Sequence, residues 1–146
     1  MAEIEHFVDP NNKDHPKFCL IQDMKLPLWS AEAQESNGKL IQDMTLKDAV
    51  AKKVIGNQTI AYFMARTYMF LTDLGIYKES IRFRQHRCNE MAHYAEECWD
   101  GEVECSYGWI EVCGHSDRSC FDLSRHAAKT KVELVAARQL KTPIKV

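Results

Sequence analysis

The stretch between Asn57 and Gly75 restricts the fold more than any other part of the chain. Ile60, Phe63, Met64, Thr67, Phe70, Leu71 and Leu74 recur there at the spacing of a helix face. Asn57 is a good N-cap for that helix, and Gly75 is a residue that ends one. The aromatic and methionine side chains along it (Tyr62, Phe63, Met64, Tyr68, Met69, Phe70) read as core packing rather than as a cofactor-binding stripe. A shorter helix is predicted just before it. Thr45 and Asp48 fit a capping box, and the apolar Ala49, Val50 and Val54 run on to Gly56.

The other segments alternate instead. Ile81-Arg82-Phe83-Arg84 predicts a strand with one wet, positive face. Cys98 to Cys105 and Tyr107 to Cys113 predict two more, joined around Asp100-Gly101 and Ser106. Because Asp-Gly is a hairpin signal and lies inside the first run, their register stays open. Ala2 to Asp9 alternates as a strand would and stops at the turn cluster Asp9-Pro10-Asn11-Asn12. Asn89 to Ala95 suggests a helical turn carrying Glu90, His93 and Tyr94. Ser119 and Asp122 repeat the capping-box pattern and open a helix through Leu123, His126 and Ala127. Residues Asn11 to Lys39, with Pro16, Pro27 and Gly38, read as a loop with short extended pieces, and Val132 to Val146 alternates weakly. The sum is an α+β fold: an antiparallel sheet with segregated flanking helices, in one domain from 1 to 146 whose least distinctive, insertion-like part is 11–56.

Composition excludes several classes of function. A length of 146 residues is about one domain, and 45% hydrophobic with 27% charged residues describes a globular chain. A net charge of −2 leaves no overall basic field for a polynucleotide. No apolar stretch approaches the ~20 residues of a membrane span. The acidic segment Met1 to Pro10 lacks the basic and apolar regions of a secretory leader. The six cysteines contain no C-x-x-C pair and read as reduced thiols. A zinc site from Cys88, Cys113 and His115 is a remote alternative.

Three groups of residues carry candidate chemistry. Glu3 and Glu5 share one face of the first predicted strand, where a carboxylate can hold a small ammonium group or simply face solvent. Arg82 and Arg84, with His86 close by, can grip phosphates or form surface pairs with Glu90, Glu96 or Glu97. Glu111 stands inside an apolar strand bracketed by Gly108 and Gly114, where it can meet Mg²⁺ or a nucleotide, or pair with Arg118.

These residues fall in blocks that together resemble one family. Met1-Ala2-Glu3-Ile4-Glu5-His6-Phe7-Val8-Asp9-Pro10, Arg82-Phe83-Arg84-Gln85-His86 and Asn89-Glu90-Met91-Ala92-His93-Tyr94-Ala95 resemble segments of the eukaryotic-type glycyl-tRNA synthetases. Cys98-Trp99-Asp100, Ser106-Tyr107-Gly108-Trp109-Ile110-Glu111 and Asp117-Arg118-Ser119-Cys120-Phe121-Asp122-Leu123-Ser124 do so as well. The resemblance covers essentially the whole chain and falls between motifs 2 and 3 of the class II catalytic domain. It implies part of a class II antiparallel sheet, in an enzyme that activates glycine with ATP and Mg²⁺ to glycyl-adenylate and passes it to tRNA(Gly). It further implies a homodimer in the cytoplasm, with a mitochondrial form in some members, and no zinc.

By that resemblance Glu3 receives the glycine ammonium, and Glu111 and Val112 contact ATP. Arg118 lies near the adenylate phosphate, and Glu111 is a candidate Mg²⁺ ligand. The family's Phe-Arg-x-Glu stretch of motif 2 is absent from these residues, as are motifs 1 and 3. The 146 residues alone are therefore expected to be inactive, since activation depends on positive charge held around the α-phosphate. The alternative is a non-catalytic paralogue or interaction module that pairs with a complete synthetase.

Overall fold

The computed structural model describes residues 1–36, 38–135 and 137; the rest of the tail read as weakly alternating, 136 and 138–146, lies outside them. Local signals set the helices. In α2 (Leu46–Ala51) the Thr45 hydroxyl accepts the Asp48 N–H, and in α3 (Gln58–Asp73) the Asn57 side-chain Oδ1 accepts the Ile60 N–H. Gly75, at φ +94°, turns the chain out of α3 in a conformation that a Cβ would strain.

The sheet of described residues has the order β1 (Leu28–Trp29), β2 (Ile81–Gln85), β3 (Glu97–Cys105), β4 (Gly108–Asp117). The pairs β2–β3 and β3–β4 are antiparallel. The added edge strand β1 runs parallel to β2, so the sheet is mixed rather than wholly antiparallel. One face of the sheet is apolar. Ile81, Phe83, Trp99 and Val103 point from it into a core that α3 closes with Ile60, Ala61, Met64, Ala65 and Leu71. Phe83 and Trp99 are fully shielded from solvent, and burying a side chain of that size contributes about 1.5–3 kcal/mol.

Several elements depart from the sequence reading. Met1 to Val8 forms no strand and is exposed throughout, because no neighbour among the described residues completes its ladder. The segment from Asn11 to Lys39 is not a peripheral loop. It carries β1 and α1 (Ala31–Glu35, capped by Ser30), and Phe18, Ile21, Leu26 and Leu28 enter the core. Asp100-Gly101 lies within β3, not in a turn; the connection to β4 is Ser106-Tyr107, closed by Gly108 at φ +117°. Gly108 therefore serves the turn rather than the approach of a ligand. Asn89 to Ala95 forms separate turns instead of a helix. Ser119 does not cap α4 (Phe121–Thr130): its own N–H is held by the Asp117 carboxylate, which leaves it at φ 54°. The α3 stripe is buried only in part, since Phe70 and Leu74 are 60% and 63% exposed.

Candidate functional site

The opposite face of the sheet is charged, and period-two alternation builds it. Arg82 and Arg84 of β2 stand directly across from Glu102 and Asp100 of β3, and Glu111 of β4 stands directly across from Glu102. Arg82 Nε donates to Glu102 Oε2 at 2.6 Å. Arg84 is divided among three carboxylates: Nε to Glu102 at 3.3 Å, Nη1 to Glu90 at 2.9 Å and Nη2 to Asp100 at 3.3 Å. His86 Nε2 meets both Asp100 oxygens at 2.8 and 2.9 Å. Glu90 is held down to about 2 by hydrogen bonds from the Arg87 and Arg84 guanidinium groups and the Arg87 N–H. Burial works against the Arg84 charge, but its carboxylate partners outweigh that and keep its pKa above the ordinary value.

Two features set this face apart from a plain ion-pair surface. The Arg82 guanidinium lies over two indole rings, 4.5 Å from the Trp29 centroid and 4.1 Å from that of Trp109. The β3–β4 register also shifts. Gly101 pairs with Cys113 and Glu102 pairs with Glu111, which leaves Val112 as the extra residue of a bulge. Bulges of this kind re-aim the side chains beside them and are frequent next to active sites. Glu111 and Val112 are both exposed there, and Glu111 enters no ion pair among the described residues. On the same side His86 Nδ1 and Arg87 Nε are buried without a partner among the described residues, as polar atoms are where water or a ligand completes a site.

The residues expected to carry function are not all brought together. Glu111 and Val112 lie on the charged face. Arg118 lies past the far end of β4, roughly 20 Å from Glu111 at strand rise. It pairs with Asp122 at 2.8 Å and stacks over Tyr94 at 4.3 Å, so the alternative Glu111–Arg118 pair does not form. Glu3 is exposed and has no hydrogen bond among the described residues, whereas His6, three residues on, packs against Phe63 of α3 at 5.1 Å. Neither Glu96 nor Glu97 pairs with the two arginines. Glu96 meets Lys13, and Glu97 accepts the Gly56 N–H and the Trp99 Nε1–H.

For Mg²⁺, the free carboxylates on the charged face among the described residues are Glu111 and, at the hairpin end, Glu104, because Glu102 and Asp100 are committed to cations. One carboxylate suits an ion that takes most of its ligands from phosphate and water. Among the described residues no group of three His, Cys, Asp or Glu side chains is arranged around a common metal position. All six cysteines are free. Cys113 Sγ lies 3.6 Å from His115 Nε2, while Cys88 is exposed in a turn.

A hollow of about 350 Å³ at the Glu97–Asp117 end is lined by groups that already satisfy one another. Lys13 bonds Asp117 and Glu96, Lys53 bonds the Gly56 carbonyl, and Asn57 bonds Asp117.

The acidic partners Asp100 and Glu102 and the two tryptophans were not singled out from the sequence. The signal was available: Asp100, Glu102 and Glu104 alternate at period two, as Arg82 and Arg84 do, and two complementary charged runs predict paired neighbouring strands.

No family model matches the chain. Curated relatives match it over all or nearly all of its length. It is 51% identical over 146 residues to "Glycine--tRNA ligase 1, mitochondrial" of Saccharomyces cerevisiae, and covers 21% of that protein. It is 52% identical over 143 residues to "Glycine--tRNA ligase" of Drosophila melanogaster, covering 19%, and 49% identical over 146 residues to the Caenorhabditis elegans protein of the same name, covering 20%. The chain thus spans about a fifth of the length of these relatives. Among the described residues no helix is long and apolar enough to cross a membrane.

Proposed function

We propose that this chain, which corresponds along its whole length to a segment of the glycine–tRNA ligases, supplies part of the site where such an enzyme joins glycine to ATP and passes the glycyl group to tRNA(Gly). Identity of 49–52% over 143 to 146 residues of the chain is the observation that carries this reading. Divergence at that level keeps a fold and its site chemistry together. The charged sheet face supports the reading independently, because it presents an uncommitted carboxylate, Glu111, beside a bulge on a rigid strand.

In this reading Glu111 and the backbone at Val112 hold ATP. A carboxylate does so by accepting hydrogen bonds from the base or sugar, and Glu111 would also be a ligand for a Mg²⁺ ion. That ion neutralises phosphate charge when bound. Glu3 takes the glycine ammonium by a charge-assisted hydrogen bond, and Arg118 stands near the adenylate phosphate. Arg118 and Glu3 reach the reacting atoms only once the segments that carry them are seated in the larger enzyme. Dimerisation belongs to that enzyme, as does work in the cytoplasm and, in some members, the mitochondrion.

The test is glycine-dependent exchange of pyrophosphate into ATP by a full-length ligase carrying this segment. Glu111→Gln should raise KM for ATP by about tenfold, the loss of one hydrogen bond to a charged group, and leave KM for glycine near its starting value. Glu3→Gln should do the reverse. Unchanged constants in both variants would overturn the assignment. The 146 residues alone should show no exchange.

A further inference from the structure

We infer that Arg82 is a positioning residue for Glu111, acting through Glu102 and clamped by Trp29 and Trp109; this rests on the reading of Glu111 as an ATP contact. Glu102 and Glu111 are direct cross-strand partners on one face, an arrangement that repels unless one charge is matched. Glu102 is only 8% exposed, so solvent does little to screen it.

Two arginines match it, and they are not equivalent. Arg84 is shared with Glu90 and Asp100, whereas Arg82 has Glu102 as its one carboxylate partner among the described residues and meets it at the shorter distance, 2.6 Å against 3.3 Å. With Glu102 neutralised, Glu111 is left as the carboxylate of that row whose charge a ligand can use.

The tryptophans explain how Arg82 is held. Rings at 4.5 and 4.1 Å give the guanidinium two cation–π contacts, while its Nε edge meets Glu102. Trp109 sits two residues before Glu111 and so shares its face of β4. The stack thereby ties β1 and β2 to β4 across β3, just ahead of the bulge at Val112, where the ladder gives least support. Lysine cannot replace this arrangement. It keeps the charge but has neither a plane to stack on the two rings nor an Nε edge.

The experiment uses a full-length ligase carrying this segment and reads KM for ATP, KM for glycine and kcat in pyrophosphate exchange. Arg82→Met should raise KM for ATP by about tenfold, with Arg82→Lys in between. The decisive variant is Arg82→Met combined with Glu102→Met. Removing both partners removes the repulsion, so KM for ATP should return to within about threefold of the starting enzyme. A merely structural role predicts that the double variant is as impaired as Arg82→Met or worse, and that result overturns the inference. So does an unchanged KM for ATP in Arg82→Met while Glu111→Gln raises it. An unchanged KM in Glu111→Gln instead overturns the reading of Glu111, and the inference with it. Should Arg82→Met fail to fold, comparing Arg82→Lys with Arg82→Lys plus Glu102→Gln reaches the same decision.

Discussion

Acid should destabilise this fold through His115. Its imidazole stands opposite Trp99 in the β3–β4 ladder, 6.1 Å from the Phe83 ring, and burial pushes it down to about 4 while Asp100 pulls the other way. In the unfolded chain a histidine titrates near 6.5, so between these values the unfolded chain binds more protons. The stability due to the neutral ring is complete above pH 6.5 and is lost as pH falls toward 4. At about 1.4 kcal/mol per pH unit, the loss reaches up to about 3 kcal/mol. Glu97, raised by burial, works in the opposite sense from pH 4.5 upward, overlapping the His115 range, so the effect must be isolated by comparison with His115→Phe. The assay is urea unfolding followed by emission of the buried Trp99. Between pH 7.5 and 4 the stability of the natural chain should fall by about 3 kcal/mol relative to His115→Phe. A difference that stays flat would show that the ring is solvated, and the reasoning would be wrong.

Three further substitutions probe the scaffold by the same urea midpoint. Gly56→Ala puts a Cβ into the Glu97 carboxylate, breaking its bonds to the Gly56 N–H and Trp99 Nε1, and should cost about 2–3 kcal/mol. Phe83→Ala empties the centre of the apolar face and should cost about 3–5 kcal/mol, the range for aromatic truncation in a core. Thr45→Ala removes only the α2 cap and should cost about 1 kcal/mol, with no effect on the charged face.

The parts legible in the sequence are those whose causes are local. Thr45, Asn57 and Gly75 mark helix ends through hydrogen bonds and φ values made within a few residues, and α2 and α3 follow from them. Strand β2 is legible because its alternation matches a buried and a charged face. What escaped the sequence depends on distant partners. The pairing of Leu28 with Phe83 spans more than fifty residues, and no local pattern announces β1. Met1 to Val8 has the alternation of a strand but lacks a ladder to join. Asp-Gly, a turn signal in isolation, is absorbed into β3, where a Cβ at Gly101 would touch both the Phe83 ring and the Cys113 carbonyl. At the site, Glu111 was legible as a charged residue within an apolar run. The Trp29–Arg82–Trp109 clamp was not, since three segments far apart in sequence supply its members.

If Glu111 contacts ATP, β4 belongs to the ATP-binding surface. Hydrogen exchange of a full-length ligase carrying this segment, measured by mass spectrometry with and without ATP and glycine, tests this directly. ATP should slow exchange across Gly108–Asp117, and glycine should slow it across residues 1–8. Slowing confined to other parts of the ligase, with both segments unchanged, would contradict the assignment of this face.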